Sequence, residues 1–348
     1  MKAALKSGSL GLMMSLLAAG TAMAETNITV MAYSGLFQER YTKAVIEPFM
    51  AAHPDIKVTY FPLPTSAAML GNLRAQRAAP QADVVIMDVS VSKAGTDEGV
   101  FTKIDTSNVP NVADLYPDAR IPDIAGVAVT FDNLVLLYNA EQVPQTPSSW
   151  MDMAKPEYRG KVVIPGVPDI QGLGLLLILN KARGGTNYLD NVDKGLEAVA
   201  EIAPNVQTWE PKPEVYAPVV TGQAALGVGY NARAQVNSEL SGGRIKATIP
   251  KEGTIFQINT INLVADAPQT AAAATFVNYA LSPEAQKSFT ETMFYAPTNS
   301  KAQVSQEAMA RTAVNSLDKV MKVDWIALAK VRDKIANEWR RRVLPASR

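Results

Sequence analysis

Along most of this chain, short β-branched and apolar runs alternate with longer segments in which apolar positions recur every three or four residues. Residues 28–32 predict a first strand, with Ser34 and Gly35 in the loop after it. Residues 37–50 follow with Tyr41, Val45 and Phe49 on one helical stripe. A second strand is expected over 57–61, then a helix over 67–79 with Ser66 as its candidate cap. Residues 82–87 read as a buried strand. Strand, helix, strand, helix, strand is the signature of an α/β layer.

The middle of the chain repeats that logic. Residues 127–130, 133–138, 161–165 and 225–229 are strand-like, and helices are expected over 172–181 and 234–240. Residues 255–265 look extended again. A helix over 270–281 is followed by Ser282-Pro283-Glu284, a capping serine with proline at the first helical position. The last helix, 324–342, can place Trp325, Leu328, Val331, Ile335 and Trp339 on one face. Two α/β units joined by extended crossovers make a hinge with a cleft.

The N-terminus assigns the compartment. Lys2 and Lys6 precede an apolar run over 10–19, and Ala22-Met23-Ala24 has small residues at both cleavage-defining positions. This predicts a secretory signal peptide over 1–24, cut after Ala24, since a membrane span needs about 20 apolar residues. No cysteine follows to carry a lipid, and the chain has none at all. The mature chain would hold 31 cations against 33 acids, with no basic patch to attract nucleic acid. It must fold on its core without disulfides, and its length suits two lobes.

One histidine, His53, closes a predicted helix. With no partner histidine and no cysteine, neither a zinc site nor a nucleophilic triad can be assembled around it. A hydrolytic enzyme is therefore disfavoured, and no cofactor is expected. An adhesion or structural protein is the other rival, and it would have no closable cleft.

Several stretches carry a resemblance to a known family. YNAEQVPQTPSSWMDMAKPEYRG (138–160), followed by KVVIP, is one. NYALSPEAQ (278–286), YAPTN (295–299) and Val323-Asp324-Trp325 with Trp339 are the others. In order and spacing the chain resembles the periplasmic substrate-binding proteins of ABC importers, in the group containing the spermidine/putrescine-binding and ferric-iron-binding proteins. The resemblance implies a two-lobe type II periplasmic binding fold with crossover strands. Lobe one would be 25–130 plus 260–300, lobe two 131–255, and the helices of 301–348 would pack across both. It implies a periplasmic monomer that captures a small molecule, closes over it and hands it to inner-membrane permease subunits.

Cleft residues should lie where strands end and helices begin. Those places hold Tyr33, Ser34, Ser66, Asp88, Gln171, Tyr230, Asn231 and Arg233, with Trp209 and Asn259 nearby. Helix N-termini favour anions, and Arg233 offers a planar fork for a carboxylate or phosphonate. The bland readings are a helix cap for Ser66 and Asp88, lobe packing for the tyrosines and a solvated start of helix for Arg233. Where the polyamine-binding relatives carry acids, this chain has Tyr230-Asn231-Ala232-Arg233-Ala234 and Phe256-Gln257-Ile258-Asn259-Thr260. This contrast predicts a small organic anion: a carboxylate, an organophosphonate or a sugar phosphate. Polyamine binding stays as the alternative, with Trp209 and Glu210 as amine contacts. A ferric or iron-chelate ligand is a further one, although the adjacent tyrosines of the iron binders are missing.

Overall fold

The computed structural model describes residues 25–211 and 214–347; the expected signal segment lies outside them. Among the described residues the strands are β1 (Thr26–Tyr33), β2 (Ile56–Leu63), β3 (Val84–Asp88), β4 (Phe101–Thr102), β5 (Val127–Asn139), β6 (Val162–Val163), β7 (Val206–Thr208), β8 (Leu226–Tyr230), β9 (Ile245–Thr248), β10 (Thr254–Val264) and β11 (Val320–Met321). Their path is β2-β1-β3-β10-β5-β8-β6-β7, with β4 and β11 on β10 and β9 on β5.

At one end β1 runs parallel to β2 and β3. At the other, β6 runs parallel to β7 and β8. Two long strands join these units. The first part of β5 pairs antiparallel with β10, as far as Asn133 opposite Phe256. From Leu134 onward β5 pairs with β8 instead. The chain therefore crosses from one lobe to the other at Asn133–Leu134. This is the expected two-lobe α/β architecture with crossover strands.

The sequence pattern had suggested two short strands here. The chain makes one of 13 residues, buried throughout. Asp132 and Asn133 do not interrupt it because the Asp132 carboxylate accepts the N–H groups of Asn133 (2.8 Å) and Ala232 (3.0 Å). A buried polar group that finds its bonds can stay in a strand.

Both faces of each lobe's sheet are covered, and the side chains alternate accordingly. In β3, Val84 and Ile86 join the cluster around Phe37, Phe49 and Phe276, while Val85 and Met87 join the one around Met69 and Leu73. In β5, Leu134 and Leu136 pack with Leu175, Leu176 and Trp150, while Val135 and Leu137 pack with Val215, Tyr216 and Val219.

The expected helix over 37–50 is a continuous helical stretch with a π-helical turn, Thr42–Ile46, in its middle. Pro48 follows that turn, and its missing N–H and its ring are incompatible with the regular bond pattern there. The C-terminal helix, Trp325–Arg342, buries Trp325, Leu328, Ile335 and Trp339. It packs on helix Val89–Asp97 and on helix Asp193–Ile202, neither of which the apolar pattern had marked.

Candidate functional site

A cavity of about 700 Å³ lies between the lobes, at strand ends where helices begin. Depressions of about 760 and 1060 Å³ also exist, one within lobe two and one between helix Val89–Asp97 and the C-terminal helix. The 700 Å³ cleft is the one that gathers strand ends from both lobes.

On the lobe-one side a chain of hydrogen bonds fixes the wall. Tyr33 ends β1, and its hydroxyl lies 3.0 Å from Asn259 Oδ1, to which it donates, and 2.7 Å from Ser66 Oγ. Since a phenol has one proton to give, the Ser66 hydroxyl donates to Tyr33. Ser66 Oγ in turn accepts the Asp88 N–H at 2.9 Å. Four of the predicted residues, Tyr33, Ser66, Asp88 and Asn259, are thus one connected unit. The cap of helix Ser66–Ala75 is Thr65, which accepts the Ala68 N–H at 3.2 Å, so Ser66 is not the cap. Asp88 caps helix Val89–Asp97, accepting the Ser90 N–H at 2.9 Å and its hydroxyl at 2.6 Å. Burial pushes the Asp88 carboxyl up; Ser90 and Arg332 oppose that and Asp169 reinforces it.

On the lobe-two side Asp169 caps helix Ile170–Ala182 through the Gln171 N–H at 2.8 Å. Its carboxyl is also pushed up by desolvation at the cleft wall, with Gln171 and Arg332 holding it down. Gln171 lines the cavity, and its Oε1 is buried without a hydrogen-bond partner. Tyr216 and Tyr230 are locked together: the Tyr230 N–H donates to Tyr216 Oη at 2.8 Å, and that hydroxyl donates to the Tyr230 carbonyl at 3.1 Å.

Arg233 sits in the first turn of helix Asn231–Leu240, not in a loop. Among the described residues its guanidinium forms no hydrogen bond and no ion pair, and it lines the cavity. Burial disfavours its charge, and the Glu214 carboxylate opposes that; Tyr295, Tyr216 and Tyr33, which line the same cavity, are kept neutral by their own burial. The buried acid Asp132, whose carboxyl Arg233 pulls down, spends one oxygen on backbone N–H groups, and its Oδ2 has no partner among the described residues.

Of the ten residues named from the sequence, Tyr33, Ser66, Asp88, Gln171, Trp209, Tyr230 and Arg233 line this cavity. Three do not. Ser34 is exposed in the turn, its N–H bonded to the Leu63 carbonyl at 3.0 Å. Asn231 turns away and donates to the Arg311 carbonyl at 2.6 Å. Asn259 is fully buried behind the wall, held by Tyr33, Gln257 and Thr130. Gln257, Tyr295, Arg332, Glu214, Tyr216 and Trp339 line the cleft without having been singled out as binding residues. Trp339 had been read as core, and it is: it meets Trp209 edge to face at 5.1 Å.

The expectation that helix starts would receive an anion needs correction. One amide at each of these starts already has an internal acceptor: Thr65 for Ala68, Asp88 for Ser90, Asp169 for Gln171 and Asp132 for Ala232. Three of the four acceptors are carboxylates. The wall therefore carries acid as well as Arg233.

The model of the family described as bacterial extracellular solute-binding protein matches residues 44–315. The spermidine/putrescine-binding periplasmic protein of Escherichia coli is 26% identical over 308 residues, covering 85% of this chain and 83% of its own. The gamma-aminobutyric acid-binding protein of Pseudomonas aeruginosa is 24% identical over 270 residues, covering 74% and 75%. The crystal structure of an ABC transporter substrate-binding protein from Bradyrhizobium japonicum superposes with a TM-score of 0.76 at 22% identity, over 90% of this chain and 99% of that one. An interlobe cleft and a family match across most of the chain agree. The protein belongs to the bacterial extracellular solute-binding protein family.

Proposed function

We propose that the ligand is a small amino carboxylate, carrying an anionic group for Arg233 and an ammonium for the carboxylates of the cleft. The observation that carries this reading is the unpaired guanidinium of Arg233 in a wall that also presents Asp88 and Asp169. A charge held partly out of water without a partner is costly, and a ligand carboxylate offers a bidentate one. The ammonium end has the two aspartates, Gln171 Oε1 and an aromatic wall that includes Tyr33, Tyr230 and Trp209. Aromatic faces attract cations as well as excluding water. The relatives named above are named for amines, and one of them for an amino acid.

In this reading the protein is exported behind a cleaved signal peptide and acts in the periplasm. Lobe one (25–130 plus 260–300) and lobe two (131–255) close on the ligand about β5 and β10, with 301–348 bridging them. The closed form docks on the permease. A polyamine is the second reading. The acids and rings favour it, and Arg233 opposes it by like charge. Calorimetric titration with 4-aminobutanoate, putrescine and butanoate separates these. The amino acid should bind at least about tenfold, or about 1.4 kcal/mol, more tightly than either single-function probe. A preference for putrescine would remove the amino-carboxylate reading.

A further inference from the structure

Arg332 comes from the C-terminal helix, outside both sheets, yet it lines the cleft with Asp88 of lobe one and Asp169 of lobe two. Its guanidinium donates to the carbonyl of Pro168, the residue before Asp169. Its charge reaches both aspartates and opposes the upward push that burial gives their carboxyls. It forms no ion pair with either one among the described residues. The guanidinium is thus a resident neighbour of two carboxylates on opposite lobes, tied to the backbone and not consumed by them.

The charge count at this part of the wall is decisive. Around Arg332, Asp88 and Asp169 with one guanidinium leave a single net negative charge; the other charged lining residues are Arg233, Glu214 beside it and Glu210, and both glutamates are exposed to solvent. One ammonium neutralises it. A second ammonium would face Arg332 here or Arg233 elsewhere in the cleft, and like charges at short range in a partly dry site repel strongly. Without Arg332, the same two aspartates would make a site for a dication.

We propose that Arg332 is a specificity-determining residue, which sets the cleft to accept one ammonium and to reject diamines. The C-terminal helix is well placed for this task, since it packs on helices of both lobes and Arg342 pairs with Asp193 farther along it. Arg332 keeps its position by bonding the Pro168 carbonyl, so the aspartates remain free to receive N–H donors from the ligand, with Gln171 Oε1 beside them. This inference rests on the amino-carboxylate reading of the site.

The test is calorimetric titration of the mature wild type, Arg332→Gln and Arg332→Lys with 4-aminobutanoate and with putrescine. Arg332 is half-exposed, and thermal melts of the variants should match the wild type. Arg332→Gln should move the affinity ratio toward putrescine by about tenfold or more, the factor that 1.4 kcal/mol represents. Arg332→Lys, which keeps the charge, should leave the ratio near the wild-type value. A ratio in Arg332→Gln within about twofold of wild type, well under that tenfold factor, would overturn the proposal. The wild-type ratio reads the other question separately: a wild type that prefers putrescine refutes the amino-carboxylate reading whatever the variants do. Should the wild type take neither probe, putrescine binding gained by Arg332→Gln still supports the role of Arg332, and its absence overturns it.

Discussion

The carboxylate of Asp132 accepts the N–H of Ala232 at 3.0 Å, so the crossover strand β5 holds the first turn of the helix that carries Arg233. The hinge and the proposed anion contact are therefore one piece of structure. Asp132 takes the Ala232 amide at this helix start, and the arginine is left as the anion's partner. Changing Arg233 to alanine should weaken amino-carboxylate binding by about 2–5 kcal/mol, as for truncating one partner of a buried charge pair. Changing it to lysine should recover only part, since the fork is lost. Titration calorimetry checks this, and an unchanged affinity in the alanine variant would remove Arg233 from the site.

The same aspartate predicts a pH dependence. Burial pushes the Asp132 carboxyl up to about 7, against the pull of the Ala232 and Asn133 N–H groups and of Arg233. In the unfolded chain an aspartate titrates near 3.9, so between about pH 4 and 7 the folded state keeps a proton that the unfolded state has released. The group's contribution is fully present below about pH 4 and is lost as pH rises through about 7, by at most about 4 kcal/mol. Asparagine retains an acceptor for the Ala232 N–H and cannot ionise. Asp132→Asn should therefore lose less of its melting temperature than the wild type between pH 5 and pH 8. Asp83, Asp88 and Asp169 are shifted in the same direction, so the slope should shrink and not vanish. Equal slopes in the two proteins would refute the assignment.

Two glycines give opposite predictions. Gly172 lies in the first turn of helix Ile170–Ala182, and a Cβ there would come within 2.7 Å of the Pro165 carbonyl oxygen and the Val167 nitrogen. Both are backbone atoms, so the helix start that carries Asp169 and Gln171 would have to move. Gly172→Ala should destabilise by about 1–3 kcal/mol and weaken ligand binding. Gly71 is exposed within helix Ser66–Ala75, and a Cβ there meets nothing within 4 Å. Gly71→Ala should stabilise by about 0.5–1 kcal/mol through helix propensity, with binding unchanged. Denaturant melts with parallel titrations separate the two effects.

The fold was legible because its signals are local. The continuous apolar run of β3, the stripe on the last helix and the Ser282-Pro283 start each lie within a short window, and the architecture follows from their order. Ser282 does cap its helix, accepting the Ala285 N–H at 3.2 Å. Tyr33, Asp88 and Arg233 could be found because a strand end followed by a helix is also a local signal. Arg332, Tyr295 and Gln257 could not. They come from the polar side of an amphipathic helix, a late loop and the middle of a strand, and reach the cleft only through tertiary docking. The anion expectation went astray for a similar reason. Asp88 and Asp169 cap amides two residues on, a local signal, but the carboxylate at the start of the Arg233 helix is Asp132, 100 residues away in sequence.

Arg311 ties the segment after β10 to the helix that bears Arg233. Its guanidinium lies 3.6 Å from the centre of the Phe294 ring. From there it donates to Gln235 Oε1 at 3.0 Å, to the Gln235 carbonyl at 3.1 Å and to Glu239. Its own carbonyl receives the Asn231 amide. The Glu239 pair is half open to solvent and contributes little. Stacking and the two bonds to Gln235 should dominate, and both need the planar fork. Arg311→Ala should cost about 2 kcal/mol of stability, within the range for charge-assisted bonds plus a cation–π contact. Arg311→Lys should restore well under half of that loss. Glu239→Gln should change stability by less than about 0.5 kcal/mol, as for an exposed pair. Thermal melts of the three variants decide the matter: a Glu239→Gln loss equal to that of Arg311→Ala would mean the ion pair, not the stacked fork, holds this helix in place.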